Sequence, residues 1–194
     1  MEVTLILAVL VAFALYLVSV FNKFKTTDTR IGASIQEIGN QLKRQAEMIP
    51  NLVASVKGYM KHEQKALDKI TEARKMALRA VESGSAKGMV DAASQISRAL
   101  PAIQAVFEST PELQAAGPTK QLMDELRDTA DKVMYSRRTL IDLTADYNVM
   151  VVTFPSHLVA NLFHFTAKPG LTAPETGAHV EVSAAETKTP KVDL

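Results

Sequence analysis

The stretch LMDELRDTADKVMYSRRTLIDLTADY, residues 122–147, decides the fold class. Its apolar and small side chains recur at alternating intervals of four and three residues. A repeat of about 3.5 residues keeps one stripe of an α-helix facing its neighbours, as in coiled coils, whereas a strand alternates every second residue. The stretch therefore predicts a long amphipathic helix, whose stripe is formed by Leu122, Leu126, Thr129, Val133, Ser136, Leu140, Leu143 and Tyr147.

Three earlier segments carry the same repeat, over residues 31–49, 53–81 and 93–107. Pro50 can occupy the first turn of a helix, where its missing N–H costs nothing, so we predict that the second helix begins there. The Gly- and Ser-containing stretch 82–88 predicts the next break. Because short connections between long helices favour antiparallel neighbours, the expected fold is an all-α, antiparallel up-down four-helix bundle over residues 23–167.

An uncharged apolar segment, VTLILAVLVAFALYLVSVF, precedes this domain at residues 3–21. As a helix it would be about 28 Å long, close to the roughly 30 Å hydrocarbon core of a bilayer. The alternatives are a cleaved signal peptide and a buried core helix. A signal peptide would have a basic region before the apolar segment, where Glu2 is the only charged side chain. We predict an uncleaved transmembrane anchor over residues 1–22.

The flanks of the anchor predict its orientation. Lys23, Lys25 and Arg30 follow the apolar segment, whereas no basic side chain precedes it. Basic residues concentrate on the cytoplasmic side of membrane proteins, so we expect the helical domain in the cytoplasm.

The overall composition excludes several kinds of site. The chain has 194 residues, a net charge of +1 and no cysteine. The lack of cysteine rules out a disulfide framework, cysteine-based metal sites and thiol catalysis. A charge so close to zero argues against a nucleic-acid binder. From Lys168 the sequence is rich in Pro, Thr, Ala and Glu without aromatic residues, so we predict a disordered tail over residues 168–194.

Motifs spread over most of the domain resemble those of the LemA family. The run QLKRQAEMIPNLV is followed by VKGY, His62-Glu63 and, later, by E-A-R, P-E-L, Y-N and F-P-S. The resemblance implies an N-terminal membrane anchor and an antiparallel helical bundle, without an established biochemical activity. The signature positions, expected to be structural or partner-binding, are Gln41, Leu42, Lys43, Arg44, Ile49, Pro50, Asn51, Leu52, Val53, Lys57, Gly58, Tyr59, His62, Glu63, Tyr147, Asn148, Phe154, Pro155 and Ser156.

The Ile49-Pro50-Asn51-Leu52 block has two interpretations. In the structural one, Pro50 fixes φ at the start of the second helix and Asn51 bonds a free backbone group at the corner. Ile49 and Leu52 would then clamp the helical hairpin from either side. The alternative is a ligand or partner site at the tip of the bundle. Nearby Lys43 and Arg44 are expected to be solvated charges.

His62 and Glu63 invite a metal-binding interpretation. Di-iron sites in helical bundles use Glu-x-x-His motifs on two helices with two further glutamates. Tyr59 stands at the first position of that motif before His62, and the sequence contains no Glu-x-x-His. It also lacks the nucleophile-elbow, phosphate-loop and zincin motifs. We therefore predict no metal, no cofactor and no enzymatic activity.

Residues 147–167 form a second uncharged stretch. Pro155 and several polar side chains argue against a second membrane span. In an up-down bundle this stretch would lie near the bilayer, where a short helix could pack across the base of the bundle or rest in the interface. The candidate membrane-interface residues are Leu158, Leu162, Phe163 and Phe165.

These features predict a single-pass protein of the bacterial inner membrane whose bundle serves as an interaction scaffold. Its expected partners are the lipid bilayer, an unidentified protein and, through exposed heptad faces, a second copy of the chain, but no nucleic acid. One alternative is a catalytic or metal-dependent bundle in which Lys57, His62, Arg74 and Tyr147 converge on one site. Another is a signalling accessory that acts through the anchor, for which the sequence offers no specific feature.

Overall fold

The computed structural model describes residues 1–60 and 64–171, and every regular element in that part of the chain is an α-helix. The all-α prediction is therefore confirmed. Most of the predicted tail lies outside the described residues, as do His62 and Glu63. The helices are α1 (Glu2–Val56), α2 (Gln64–Ser83), α3 (Ala86–Ser109), α4 (Pro111–Ala115), α5 (Gly117–Val152) and α6 (Ser156–Leu162).

Helix α1 joins the apolar segment and the helical domain without a break. Its 55 residues correspond to a length of about 82 Å. In the described part of the chain, α1 is the one helix that is long and apolar enough to cross a membrane, and none of its apolar window is buried. Burial begins at Phe24 and then recurs along one face at Ile31, Ile38, Leu42 and Ile49. The predicted anchor and the first helix of the domain are thus a single element.

The prediction that the second helix begins at Pro50 is wrong. Pro50 lies inside α1, which continues to Val56, and α2 begins only at Gln64. Proline in a helix interior removes one hydrogen bond and normally kinks or ends the helix. Here a side chain from α2 occupies the carbonyl that Pro50 leaves free, as described below, and the helix continues through Leu52 and Val56, both fully buried.

One hydrophobic core is shared by α1, α2, α3 and α5. Helix α1 packs mainly against α5 and also against α2 and α3, while α2 packs against α3. Leu122, the first position of the predicted stripe on α5, is only half-buried. The other positions of the stripe are buried, namely Leu126, Thr129, Val133, Ser136, Leu140, Leu143 and Tyr147.

The predicted break at residues 82–88 is a tight turn between α2 and α3. Gly84 has a φ of +66°, which favours glycine because it lacks a Cβ. Ser85 is the N-cap of α3, and its Oγ accepts a hydrogen bond from the Gly88 N–H at 3.1 Å. The short helix α4 was not predicted, whereas α6 corresponds to the short helix expected within residues 147–167 and packs against α5 and α1.

Candidate functional site

Arg74 reaches from α2 to the turn of α1 that precedes Pro50. Its Nε donates a hydrogen bond to the Ala46 carbonyl oxygen at 2.8 Å. In a regular helix that carbonyl accepts from the N–H of residue 50, which proline lacks. Because Ala46 is fully buried, water is poorly placed to supply the missing donor. Arg74 therefore replaces the hydrogen bond that Pro50 removes, and this contact joins two of the signature motifs.

The rest of the Ile49–Leu52 block is helical core and surface rather than a corner. Ile49 and Leu52 are both buried, and they contribute to the core from one helix instead of clamping two. Asn51 is exposed within α1, where its backbone carbonyl accepts from Ser55 Oγ at 2.9 Å. The predicted role of Asn51 at a helix corner is wrong, because the helix does not turn until after Val56.

The other signature residues of α1 separate into core and surface. Leu42 is fully buried, Val53 is half-buried, and Gln41 donates through Nε2 to Glu37 Oε1 at 2.7 Å. Lys43 is exposed, as predicted. Arg44 instead forms an ion pair with Glu125 of α5, although its side chain remains half exposed.

The turn after α1 presents the last three residues of the VKGY motif to solvent, while Val56 is buried at the end of α1. Lys57, Gly58 and Tyr59 are exposed, whereas Met60 is buried. The spacing of Tyr59 and Met60 after Val56 is compatible with the core and predicts that both pack there; this is wrong for Tyr59 because the helix ends before it. Lys57, Gly58 and Tyr59 mark the distal end of the described domain.

The polar residues of the catalytic alternative do not meet where the structure describes them. Arg74 contacts α1 at Ala46, whereas Tyr147 contacts α1 at Phe24. Along one continuous helix these two contact points are about 33 Å apart. Lys57 lies beyond both, and His62 lies outside the described residues. Within residues 1–60 and 64–171, no group of three or more His, Asp or Glu side chains is arranged to hold a metal ion.

An aromatic cluster closes the opposite end of the domain, next to the apolar segment of α1. We call it the aromatic base, and its members are Phe21, Phe24, Tyr147, Phe163 and Phe165. Phe24 stacks on Phe165 with ring centroids 4.6 Å apart and meets Tyr147 edge-on at 5.4 Å. Phe21 contacts Phe163 at 4.7 Å. Such ring pairs stabilise beyond their buried area, so the chain after α6 is fastened to α1.

A polar clasp holds the end of the described chain over the aromatic base. Asn148 Nδ2 donates to the Lys168 carbonyl at 2.9 Å, and the Lys168 N–H donates to Asn148 Oδ1 at 2.8 Å. The ammonium of Lys168 lies 2.6 Å from Asp28 Oδ1 on α1. Asn148, Lys168 and Asp28 therefore connect α5, the segment after α6 and α1. We call this group the Asn148 clasp.

Burial raises the pKa of the Tyr147 phenol above its ordinary value of 10.0. The neighbouring Lys168 cation opposes this rise, because it favours the phenolate, and the Asp28 carboxylate adds to it. Lys168 Nζ also lies 5.3 Å from the centre of the Tyr147 ring. On the outer side of the base, Lys25 Nζ lies 5.5 Å from the centre of the Phe165 ring. Both cations face rings of the aromatic base.

The end of α5 and the short helix α6 form a helical hairpin below the aromatic base. One face of this hairpin is buried and the other is exposed. Val159 and Ala160 are fully buried, whereas Leu158, Leu162 and Phe163 are about half exposed or more. The candidate membrane-interface residues Leu158, Leu162, Phe163 and Phe165 therefore do not share one environment. Phe165 packs in the aromatic base, while Leu158 and Leu162 face outward.

The last of the signature motifs, F-P-S at residues 154–156, forms the turn of this hairpin. Phe154, Pro155 and Leu158 line an apolar groove of ≈ 210 Å³ together with Phe13 and Leu17 of α1. Ser156 begins α6, and its Oγ donates to the Thr153 carbonyl at 3.0 Å. The turn therefore lies beside the apolar segment of α1.

Sequence reasoning missed the roles of Arg74 and of Asp28 and Lys168. Arg74 belongs to a signature motif, but nothing local to it indicates a contact with the Pro50 turn. A proline inside a heptad-patterned segment was the available signal, since it leaves a carbonyl that some donor must satisfy. Asn148 was a signature residue, and the structure gives it a partner 20 residues further along the chain.

Comparison with known sequences agrees with these motifs. The sequence model of the LemA family matches residues 34–185, which include the Arg74–Ala46 hydrogen bond and the Asn148 clasp apart from Asp28. No curated protein matches the chain. The match spans most of the chain and leaves out the apolar part of α1. The protein belongs to the LemA family.

Proposed function

We propose that this protein is a membrane-anchored interaction scaffold without catalytic activity. In this proposal α1, α2, α3 and α5 form an antiparallel four-helix bundle, held at the cytoplasmic face of the bacterial inner membrane. The observation that carries the proposal is the continuity of α1, whose exposed apolar segment passes directly into the core of the domain at Phe24.

Because α1 is continuous, it both anchors the domain and sets the orientation of the domain relative to the membrane. A flexible linker would let the domain turn freely above the bilayer, whereas α1 fixes its axis relative to the span. The aromatic base strengthens this coupling, because Phe163 and Phe165 pack on Phe21 and Phe24 where the span meets the domain. A domain held in one orientation suits the presentation of a surface to a partner.

The side of α5 that faces solvent offers a surface for such a partner. Met134 and Tyr135 are 64% and 74% exposed there. Tyr135 also lines a groove of ≈ 260 Å³ between α1 and α5, together with Ala33 and Ser34. Exposed methionine and tyrosine side chains are enriched at protein interfaces. The proposed partner is a protein, either an unidentified one or a second copy of the chain.

Photo-crosslinking in cells tests this proposal. A photoreactive phenylalanine derivative replaces Tyr135 in the full-length chain, and the matched control carries it at Arg98, an exposed position on α3. We expect one discrete adduct from position 135 and none from position 98. An adduct of twice the 21.1 kDa chain mass would identify a second copy as the partner. The absence of adducts at both positions, or equal smears at both, would contradict an interaction surface at Tyr135.

A reporter fusion tests the orientation. Lys23, Lys25 and Arg30 at the end of the span support a cytoplasmic domain. A fusion to Leu194 of a reporter that is active only in the cytoplasm should therefore show activity. Activity of the opposite reporter, which works only outside the cytoplasm, would reverse the proposed topology while leaving the anchor in place.

A further inference from the structure

The hairpin of α5 and α6 lies alongside the apolar segment of α1 and not only at its end. Tyr147 of α5 meets α1 at Phe24, and Phe163 after α6 meets it at Phe21. Between these two points the chain turns at Phe154, which shares a groove with Phe13. The hairpin therefore descends along α1 from the level of Phe24 to that of Phe13 and returns.

The level of Phe13 along α1 indicates how deep the turn of the hairpin lies in the bilayer. Phe13 precedes Lys23, the first cation after the span, by ten residues. Ten helical residues measure about 15 Å, which is half of the roughly 30 Å hydrocarbon core. If the cations mark the edge of the bilayer, the turn at Phe154 lies near its middle, because the hairpin and α1 are packed together.

The outward face of the hairpin has the composition of a lipid-facing surface. Residues 147–167 contain no Asp, Glu, Lys or Arg. Val152, Phe154 and Leu162 are 73%, 77% and 61% exposed. An apolar patch of this kind is costly in water, and it is continuous with the exposed apolar side chains of α1 from Val3 to Phe13.

Local hydrogen bonds satisfy part of the polar backbone at the turn of the hairpin, as a segment within hydrocarbon requires. His157 Nδ1, by contrast, is buried at the start of α6 without a hydrogen-bond partner among the described residues. The Thr153 N–H and Oγ1 both donate to the Val149 carbonyl, at 3.0 and 2.8 Å. The Thr153 carbonyl in turn accepts from the His157 N–H at 2.8 Å and from Ser156 Oγ. These local hydrogen bonds reduce the number of polar groups that the reversal of the chain leaves without a partner.

Cations and aromatic rings surround the open end of the hairpin. Lys25 lies over the Phe21 and Phe165 rings at 5.8 and 5.5 Å, and Lys168 lies over Tyr147. Basic and aromatic side chains of this kind collect at the level of lipid headgroups. Their position above the hairpin places the headgroups there and the acyl chains below.

We propose that residues 149–163 form a re-entrant hairpin immersed among the acyl chains of the same leaflet as the second half of the span. The proposal rests on the membrane anchoring proposed above. It goes beyond a helix resting on the surface, because it places Phe154 near the bilayer centre and Phe163 close to the headgroups.

Tryptophan fluorescence tests this depth, because the chain has no native tryptophan. Phe154→Trp and Phe163→Trp are made in the full-length protein and reconstituted in phosphatidylcholine vesicles. The lipids carry bromine quenchers either near the headgroup or deep in the acyl chains. Leu10→Trp in the span reports anchoring, and Tyr135→Trp on the domain surface reports exposure to water. Leu158→Trp serves as a second hairpin probe if the Phe154 variant fails to fold.

We expect Phe154→Trp to lose most of its fluorescence with deep bromines, as Leu10→Trp does, and Phe163→Trp with shallow ones. Quenching of Phe154→Trp by aqueous iodide, or by shallow bromines alone, would overturn the hairpin proposal while Leu10→Trp still supports the anchor. Protection of Phe154→Trp from both iodide and bromine would show that a second copy covers it, which also overturns lipid contact. If Leu10→Trp is not quenched either, both proposals fall.

Discussion

The substitution Arg74→Met should destabilise the domain, because it removes the hydrogen-bond donor of the Ala46 carbonyl on α1. Methionine keeps an apolar stem that can pack where the arginine stem does, but it has no donor for the Ala46 oxygen. Leaving a buried acceptor unsatisfied costs about 1–3 kcal/mol. Arg74 itself is only half-buried, so some water can reach the site, and we expect a loss of about 1–2 kcal/mol.

The origin of this loss is tested by restoring the missing N–H. Pro50→Ala gives residue 50 a backbone donor for the Ala46 carbonyl, and removes an interior proline that costs a helix about 3 kcal/mol. In the Pro50→Ala background the substitution Arg74→Met should therefore cost less than about 0.5 kcal/mol. The two substitutions should show a coupling energy of roughly 1 kcal/mol, because they act on the same oxygen.

Thermal unfolding of the full-length protein in detergent, followed by circular dichroism, measures these effects. A loss of 1–2 kcal/mol should lower Tm by about 3–6 °C for a chain of this size. The matched control is Pro101→Ala, since Pro101 also lies inside a helix but Ser97, whose carbonyl it leaves free, is exposed to water. Arg74→Met should cost the same with or without Pro101→Ala. An equal cost in the Pro50→Ala background would refute the proposed exchange of donors.

Three further predictions concern the aromatic base and the Asn148 clasp. Phe24→Ala should lower stability by about 3–4 kcal/mol in thermal unfolding, because Phe24 is fully buried between two rings; a loss below about 1 kcal/mol would contradict its central position. Asn148→Ala removes both hydrogen bonds to Lys168 and should cost about 1–2 kcal/mol, and an unchanged Tm would show that the clasp is not maintained in solution. Because folding raises the pKa of Tyr147, the stability that its neutral phenol contributes is present below pH 10.0 and is lost as the pH rises above it. The stability of Tyr147→Phe should fall less steeply above pH 10.0 than that of the wild type or of the exposed control Tyr135→Phe, and parallel curves would count against this assignment.

The sequence predicted those parts of the fold that depend on local repeats. The stripe from Leu126 to Tyr147 is buried because its spacing matches the helical turn, whatever packs against it. The helix boundary at Pro50 was mispredicted because it depends on a contact between two helices and not on a local repeat. Local rules end or begin a helix at proline, but Arg74 on another helix satisfies the free carbonyl. Pro50 itself indicates that a donor is needed, but nothing in the local sequence identifies Arg74 as that donor.

In the candidate site, too, features set by the local sequence were predicted and those set by contacts between helices were not. The lack of charge over residues 147–167 indicated an apolar environment, and the signature motif indicated that Asn148 matters. Which side of α6 is buried could not be predicted, because α6 has only seven residues and its orientation depends on Phe21 and Phe24 of α1. The partners of Lys168 were equally hidden, since they lie on two other helices.

The continuity of α1 is the central claim, and the distance between its two parts tests it most directly. The chain has no cysteine, so a double variant Val9→Cys, Asn40→Cys carries spin labels at two exposed positions only, one in the apolar segment and one in the domain. Pulsed electron paramagnetic resonance in lipid nanodiscs should give one narrow distribution centred at about 46 Å, the length of 31 helical residues. A broad distribution, or a mean well below that length, would contradict a single rigid helix that joins the span to the domain.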